Sequence, residues 1–216
     1  MNKNIKIYVS GGSGLGKSTF TQRLSKKLDL EYKSEGCRDL YDTVTDFLNQ
    51  DFLYRQELLV NLYRRLYEYN GSFVSDRSVL EIICWTLNYS LSLSVEELAR
   101  HANGLLTNYN YNTSSNNIYV IVPTPNIEIY KSIYESHIKT DPFRLDTFKE
   151  VIKTYSDDTD LMLKCRYIAL YTELVLENYL RRFDITIIKP SYEENNYFES
   201  WQDSAYRSIK EVLDND

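Results

Sequence analysis

Nine consecutive residues near the start of the chain have the types and spacing that bind a phosphate chain. They are Gly11, Gly12, Ser13, Gly14, Leu15, Gly16, Lys17, Ser18 and Thr19. They match the pattern G-x-x-x-x-G-K-[ST] of a phosphate-binding loop, or P-loop. The glycines let successive backbone N–H groups turn inward. The Lys17 ammonium can then reach the β- and γ-phosphates, and the Ser18 hydroxyl can ligate Mg²⁺. The motif predicts a nucleotide site that uses ATP and Mg²⁺.

The sequence on either side of the loop supports this interpretation. Before it, Ile5–Val9 is short, β-branched and aromatic, which is typical of a strand. After it, Phe20, Leu24 and Leu28 recur at helical spacing. A helix that starts at the loop adds partial positive charge where phosphate oxygens bind. Strand, loop and helix therefore favour a nucleotide site over a glycine-rich turn with no ligand.

An acidic and a basic residue follow a second predicted strand. Ser72–Ser75 reads as a buried strand, and Asp76, Arg77 and Ser78 come directly after it. Parallel sheets bind their ligands at the carboxyl ends of the strands. We therefore expect Asp76 to hold Mg²⁺, with Arg77 next to it on the same ligand-binding edge. The alternative is that Asp76 only caps the helix that begins after Ser78.

Glu35 and Arg38 follow the alternating segment Leu30–Ser34, a third predicted strand. A carboxylate at this edge can take the acceptor's proton as a general base. An arginine three residues later can bind a substrate phosphate or other polar acceptor groups. A salt bridge within a loop is the alternative. The sequence leaves the general base open between Glu35 and Asp76.

Arg144 lies in a polar segment, Thr140–Asp146, that contains a proline and is flanked by predicted helices. This arrangement predicts a mobile lid at about residues 137–147, which brings a guanidinium to the γ-phosphate. An ordinary surface arginine is the alternative.

The remaining pattern indicates an α/β protein. Apolar strands at Ile118–Val122 and Asp184–Ile188 alternate with predicted helices, as in a parallel sheet that is covered on both faces. Asp160–Arg182 is apolar almost all round and predicts a long buried helix. Asn108–Asn117 predicts a polar surface loop.

Composition narrows the class of protein. A chain of 216 residues suits a single domain that spans residues 1–216, and its net charge of −6 creates no general attraction for DNA or membranes. No apolar run approaches the ~20 residues of a membrane span, and no signal peptide is visible, so we expect a cytoplasmic protein. Cys37, Cys84 and Cys165 are widely spaced and odd in number, which indicates free thiols. Two histidines are too few for a histidine-based metal site.

Four features of the sequence occur together: the loop GGSGLGKST, Glu35 with Arg38, the triplet Asp76-Arg77-Ser78, and the segment Asp141-Pro142-Phe143-Arg144. In this combination the chain resembles the P-loop nucleoside and nucleotide kinases. The resemblance extends to deoxynucleoside kinases, thymidylate kinases, the kinase domain that phosphorylates nicotinamide riboside, and phage kinases of the same type. It follows the order of elements along nearly the whole chain.

The resemblance implies a five-stranded parallel sheet in the order 2-3-1-4-5, with helices on both faces. It implies that Glu35 is the general base, that Arg77 lies beside the acceptor or its phosphate, and that Arg144 is a lid arginine. Gln56 corresponds to a glutamine that reads the base in some deoxynucleoside kinases. The lid here carries one obvious arginine, where deoxynucleoside kinases usually carry several.

The resulting hypothesis is transfer of the ATP γ-phosphate to a nucleoside or nucleoside monophosphate, in particular a deoxynucleoside or deoxynucleotide. Alternative acceptors are a hydroxyl of DNA, at a strand end or on a hydroxymethylated base, and nicotinamide riboside. The acidic net charge weighs against DNA. A non-catalytic nucleotide switch is a further alternative, although the chain lacks the N-K-x-D and L-S-G-G-Q signatures. The sequence leaves the acceptor and the oligomeric state open, and a homodimer is compatible with it.

Overall fold

The computed structural model describes most of the chain in separate ranges, namely residues 4–34, 54, 58, 61, 65–66, 69–78, 80–82, 115–152, 154–181, 183 and 185–215. The predictions for Glu35, Arg38 and Gln56 concern residues outside these ranges, as do Cys37 and Cys84. Helices are numbered below in chain order within the described ranges.

A five-stranded sheet forms the centre of the molecule, with the strand order β2-β3-β1-β4-β5. Every neighbouring pair of strands is parallel. The strands are β1 (Asn4–Ser10), β2 (Glu31–Lys33), β3 (Phe73–Asp76), β4 (Ser115–Ile121) and β5 (Thr186–Ile188). Both the parallel sheet and the predicted order 2-3-1-4-5 are confirmed. Because β1 is the central strand, the P-loop that follows it lies in the middle of the ligand-binding edge.

The prediction of a polar loop at Asn108–Asn117 is wrong for its last three residues. Residues 115–117 are the start of β4, and they pair in parallel with residues 4–6 of β1. Strand formation here is decided by pairing with a neighbouring strand, and composition carries little information about such pairing. The rest of the predicted loop, residues 108–114, lies outside the described ranges.

Within the described ranges, helices follow β1, β4 and β5. They are α1 (Lys17–Leu28), α2 (Ile127–Ile133), a π-helix (Tyr134–Ile138), α3 (Pro142–Val151), α4 (Asp158–Leu180), a 3₁₀ turn (Glu194–Asn196) and α5 (Tyr197–Asp214). They bury one face of the sheet in a core that includes Ile7, Val9, Val120, Phe20, Leu161 and Trp201. The opposite face is also buried, since Tyr8 and Tyr119 stack there out of contact with solvent.

The long helix α4 occupies nearly its predicted range, but the expectation that it is buried all round is wrong. Leu161, Cys165 and Leu176 face the core, whereas Leu163 and Leu174 are exposed. Hydropathy alone does not show which apolar side chains find a packing partner. Cys165 is a buried free thiol, as predicted. No helix in the described ranges is long and apolar enough to span a membrane.

Candidate phosphate-binding site

The P-loop joins β1 to α1, and its glycines are where neighbouring elements come closest. Gly14 and Gly16 have φ values of 80° and 85°, a backbone conformation that favours glycine. A Cβ on Gly12 would lie 2.5 Å from the Cβ of Ala169 in α4, and a Cβ on Gly16 would lie 3.0 Å from the Phe198 ring. The loop therefore needs glycine both for its curvature and for close packing against α4 and α5.

The Lys17 side chain is folded back into the loop and is only 5% exposed. Its Nζ donates hydrogen bonds to the carbonyl oxygens of Gly11, at 2.9 Å, and Gly12, at 2.7 Å. The same Nζ lies 3.7 Å from a carboxylate oxygen of Glu81. The ammonium is therefore held by the backbone of the loop and by a buried carboxylate.

The end of β3 brings Asp76 and Arg77 beside the P-loop. Asp76 is the last residue of β3, pairs in register with Val9 of β1 and is 1% exposed. Arg77 follows with φ 83°, and its N–H donates to the Val9 carbonyl at 2.9 Å. A non-glycine residue in this conformation costs about 1–3 kcal/mol and is found preferentially at functional sites. The strained turn directs the Arg77 side chain toward the phosphate-binding edge.

The alternative interpretation of Asp76, as a helix cap, is less well supported. The helical turn after β3 has Ser78 at its N-cap position, and the Ser78 hydroxyl accepts a hydrogen bond from the Glu81 N–H at 3.3 Å. Ser78 also interacts with the Ser10 hydroxyl at 2.9 Å, which ties the turn to the end of β1. Because Ser78 provides the cap, helix capping does not account for the burial of the Asp76 carboxylate.

Glu81 is a site residue that the sequence analysis missed. Its carboxylate is fully buried, accepts a hydrogen bond from Gly11 N–H at 3.1 Å and forms an ion pair with Arg77 Nη1 at 2.6 Å. Burial raises the pKa of the Glu81 carboxyl, while the Lys17 and Arg77 cations act in the opposite direction and Asp76 reinforces the rise. Its position four residues after Arg77, the spacing of a helical ion pair, is the signal that could have revealed it.

A cavity of about 420 Å³ lies over the P-loop, within the size range of small-ligand sites. Its lining consists of Ser13, Gly14, Leu15, Gly16, Lys17, Ser18, Thr19, Arg23, Arg77, His137, Arg144, Phe198, Glu199 and Gln202. The structure thus brings together Lys17, Arg77 and Arg144, three predicted site residues from distant parts of the chain. Asp76 does not line the cavity and lies at the end of the adjoining strand.

The lid segment predicted at about residues 137–147 contains the end of one helix and the start of another. The π-helix ends at Ile138, and α3 begins at Pro142, so Arg144 lies in the first turn of α3. The Asp141 carboxylate accepts from the Arg144 N–H at 3.4 Å, as a helix N-cap does. Proline is favoured at the first helical position. The pair Asp141-Pro142 is therefore a helix start rather than a loop signal.

The Arg144 guanidinium reaches the cavity from this helix. Its Nε lies 3.3 Å from an Asp141 carboxylate oxygen, and its Nη1 donates to the His137 carbonyl at 3.3 Å. The side chain is 29% exposed. These contacts place a positive charge at the edge of the cavity, opposite the P-loop.

Helix α5 supplies a wall that was also missed. The Phe198 ring packs against Gly16 and edge-on against the His137 ring, with 5.5 Å between the ring centroids. The Gln202 side chain accepts a hydrogen bond from Arg23 of α1 at 3.3 Å. Nearly 180 residues separate the members of this last pair, so no local pattern could have joined them.

Comparison with known proteins finds a match only in structure, since no protein-family model and no curated protein matches the sequence. Deoxyadenosine kinase from M. mycoides matches over 96% of this chain and 100% of its own, with a TM-score of 0.61 and 15% identity. Thymidylate kinase from Candida albicans matches over 99% and 92%, with a TM-score of 0.54 and 14% identity.

A third similar structure is shikimate kinase from Bacteroides thetaiotaomicron, with a TM-score of 0.51 and 12% identity over 97% of this chain and 98% of its own. Identities this low show the fold and no more. Together with the strand order and the P-loop after β1, they establish that this chain has the P-loop nucleoside and nucleotide kinase-like fold.

Proposed function

We propose that this protein is an ATP- and Mg²⁺-dependent phosphotransferase that moves the γ-phosphate to a hydroxyl or phosphate of a nucleoside or nucleoside monophosphate, in particular a deoxynucleoside or deoxynucleotide. The observation that carries the proposal is the single cavity shared by the P-loop, Lys17, Arg77 and Arg144. Phosphoryl transfer depends mainly on positioning and on stabilising charge on the transferring group. Cationic side chains gathered around one phosphate-binding loop match that requirement.

The donor phosphates would lie in the P-loop, against the backbone N–H groups at the start of α1. Lys17 begins α1 and lies within the loop. The ammonium has three N–H donors, and it bonds the Gly11 and Gly12 carbonyls while lining the cavity. Phosphate oxygens would add charged acceptors, which form stronger hydrogen bonds than neutral ones.

The residues present fit a Mg²⁺ ion. Ser18 is half-buried in the first turn of α1, and Asp76 is buried at the end of β3, so both offer oxygen ligands close to the P-loop. No group of three or more His, Cys, Asp or Glu side chains within the described ranges could hold a metal ion by itself. That is the pattern expected for Mg²⁺, which usually takes one or two protein oxygens together with substrate phosphates and water. The ion would neutralise phosphate charge when bound.

Arg77 and Arg144 would bind the transferring phosphoryl group from different directions. Both guanidiniums line the cavity, one from the turn after β3 and one from α3. Planar guanidiniums bind phosphate oxygens in a bidentate fashion, which fixes geometry as well as charge. The acceptor's proton would pass to Glu35 or Asp76, and Arg38 and Gln56 would contact the acceptor.

The class of acceptor is proposed by analogy of fold. The deoxyadenosine kinase of similar fold was solved with dCMP and dCDP, and a second similar protein is a thymidylate kinase. These support a nucleoside or nucleotide acceptor. The likeness to a shikimate kinase shows that the same fold also serves an acceptor that is not a nucleotide. Fold alone therefore does not name the acceptor.

The test is a panel of acceptors incubated with γ-labelled ATP and Mg²⁺: the deoxynucleosides, their monophosphates, ribonucleosides, nicotinamide riboside, shikimate and duplex DNA. We expect label to appear in a deoxynucleoside or deoxynucleotide, and the transfer to require Mg²⁺. Label in duplex DNA with a steep salt dependence would replace the proposal by the DNA alternative. Tight ATP binding with no labelled product from any acceptor would instead favour a nucleotide switch.

A further inference from the structure

Glu81 is a buried acidic side chain that contacts two of the cations lining the cavity, Lys17 and Arg77. A single oxygen, Oε1, lies 2.6 Å from Arg77 Nη1 and 3.7 Å from Lys17 Nζ. The other oxygen, Oε2, accepts from the Gly11 N–H at the start of the P-loop. One carboxylate thus joins the turn after β3, the start of the loop and the start of α1.

The location of this carboxylate creates a competition. Lys17 lines the cavity, and the same ammonium bonds two loop carbonyls and pairs with Glu81. Donor phosphates and Glu81 therefore compete for one cation. A triphosphate carries the same sign of charge as the carboxylate. Binding of the nucleotide and pairing of Lys17 with Glu81 therefore oppose each other.

The ion pair of Arg77 with Glu81 differs from that of Lys17. It is short, and it lies beside the cavity rather than within the P-loop. The residue also holds a left-handed backbone conformation, with φ 83°. An ion pair four residues further along the same turn fixes the direction in which the strained residue projects its guanidinium. We expect this bond to persist when phosphate is bound, because a guanidinium carries five N–H donors and one bond to Glu81 does not occupy them all.

We infer that Glu81 is a positioning residue with two roles: it orients Arg77 toward the transferring phosphate, and it pairs with Lys17 until a triphosphate displaces it. The inference rests on the proposed function. It goes beyond that function because it predicts that one buried carboxylate weakens nucleotide binding and increases turnover.

The two roles predict opposite effects of Glu81→Gln. The amide preserves size and removes the charge, so a non-hydrolysable ATP analogue with Mg²⁺ should bind about tenfold more tightly, since the Lys17 ammonium no longer divides its charge between Glu81 and the phosphates. Turnover should fall on the order of 10- to 100-fold, because a misplaced arginine costs that much. A purely structural role would lower thermal stability and would not produce this split.

Double variants separate the two roles. In a Lys17→Ala background, Glu81→Gln should leave the affinity for the analogue unchanged, because the competing ammonium is gone. In an Arg77→Ala background, Glu81→Gln should lower kcat no further. Glu173→Gln is the matched control. Glu173 accepts a hydrogen bond from the Thr124 backbone N–H and pairs with Lys189 at 3.6 Å, but it lies outside the cavity lining. It should alter neither affinity nor kcat.

Calorimetric titration with the analogue and steady-state kinetics on the intact protein decide the question. Weaker or equal binding by Glu81→Gln, or effects on kcat that multiply with those of Arg77→Ala, would overturn the inference.

If Glu81→Gln does not fold, Glu81→Asp keeps the buried charge and should bind the analogue within about twofold of wild type with a lowered kcat. Full kcat in that variant would overturn the orienting role. If the wild type binds the analogue and transfers phosphate to no acceptor, the proposed function fails while the binding cycle still tests Glu81.

Discussion

The two sides of the cavity are constructed differently. The phosphate wall, residues 11–19, is a continuous segment that packs on the core, and its charged residue Lys17 is 5% exposed. The lid wall consists of His137, Arg144, Phe198 and Gln202, which come from separate helices, and its Arg144 is 29% exposed. From this contrast we expect the phosphate wall to be formed in advance and the lid wall to be the part that adjusts to a ligand.

The charges on the two walls are also held with different strength. Arg144 forms a half-exposed ion pair with Asp141, and pairs of this kind contribute about 0–1 kcal/mol. Lys17 is buried among two carbonyls and a carboxylate, so its removal leaves buried acceptors behind. Arg144 can therefore leave Asp141 for a phosphate at little cost, whereas Lys17 needs an equivalent partner.

The largest effect should come from Lys17→Ala, which breaks the phosphate wall. We expect a loss of transfer on the order of 10³-fold or more, because the variant lacks the cation at the transferring group. Thermal unfolding should also shift to lower temperature, since Glu81 loses a buried partner. Product formation from labelled ATP measures the first effect and calorimetry the second. Lys26→Ala, on the exposed side of α1, is the control, and equal activity in both variants would exclude the P-loop from the reaction.

Arg144→Ala breaks the lid wall. We expect kcat to fall roughly 10³-fold with little change in the ATP KM, because a lid arginine acts mainly on charge that develops in the transition state. Arg144→Lys should restore only part of the rate, since a point charge does not replace the planar fork. Steady-state kinetics give both constants. Arg181→Ala, an exposed arginine beyond α4, is the control.

The same wall should respond to ligands in solution. Hydrogen exchange across residues 140–146 should slow when ATP and an acceptor are both present. Equal exchange in both states, together with an unchanged kcat for Arg144→Ala, would mean that Arg144 is a surface residue and that the lid wall plays no part in catalysis.

Asp76→Asn tests the edge of the phosphate wall. The amide keeps the size of the side chain and loses the charge that positions Mg²⁺, so kcat should fall about 10²-fold with a smaller effect on ATP affinity. Comparison of kcat with the affinity for ATP at several Mg²⁺ concentrations measures this. Asp203→Asn, exposed on α5, is the control. Lower stability with full specific activity would assign Asp76 a structural role only.

The smallest effect concerns the packing behind the phosphate wall. Gly12→Ala places a Cβ 2.5 Å from that of Ala169, and we expect it to lower the free energy of unfolding by about 1–3 kcal/mol. Ala169→Gly removes the opposing Cβ at a helix cost of about 1 kcal/mol. The double variant should therefore be more stable than the sum of the single effects predicts. Additive free energies from denaturant unfolding would show that this contact does not restrict residue 12.

Sequence reasoning predicted the phosphate wall because its signals are local. The P-loop motif, the strand before it and the helix after it all lie within residues 5–28, and the strand order followed from the family resemblance. Asp76 and Arg77 were found for a similar reason, since they directly follow a strand. The lid wall was mostly missed because Phe198 and Gln202 reach the P-loop only through the packing of α5. Arg144 was predicted from its place in a polar, proline-containing segment, although the sequence analysis did not identify Asp141-Pro142 as a helix start.

Glu81 also shows that local sequence patterns do not reveal contacts made by tertiary packing, even between elements that are closer in the chain. Its spacing from Arg77 is visible in the sequence, but its contacts with Gly11 and Lys17 depend on how β3 and β1 pair. The functions of Glu35, Arg38 and Gln56 remain predictions, because the described ranges do not include them.

The central claim, that this cavity transfers the ATP γ-phosphate to a nucleoside or nucleotide, is tested most directly by ³¹P NMR of the protein with ATP, Mg²⁺ and the deoxynucleosides or their monophosphates. The account predicts that ADP and a phosphorylated acceptor appear in equal amounts, with little inorganic phosphate. Spectra that stay unchanged with every such acceptor, or that show only ADP and inorganic phosphate, would contradict it.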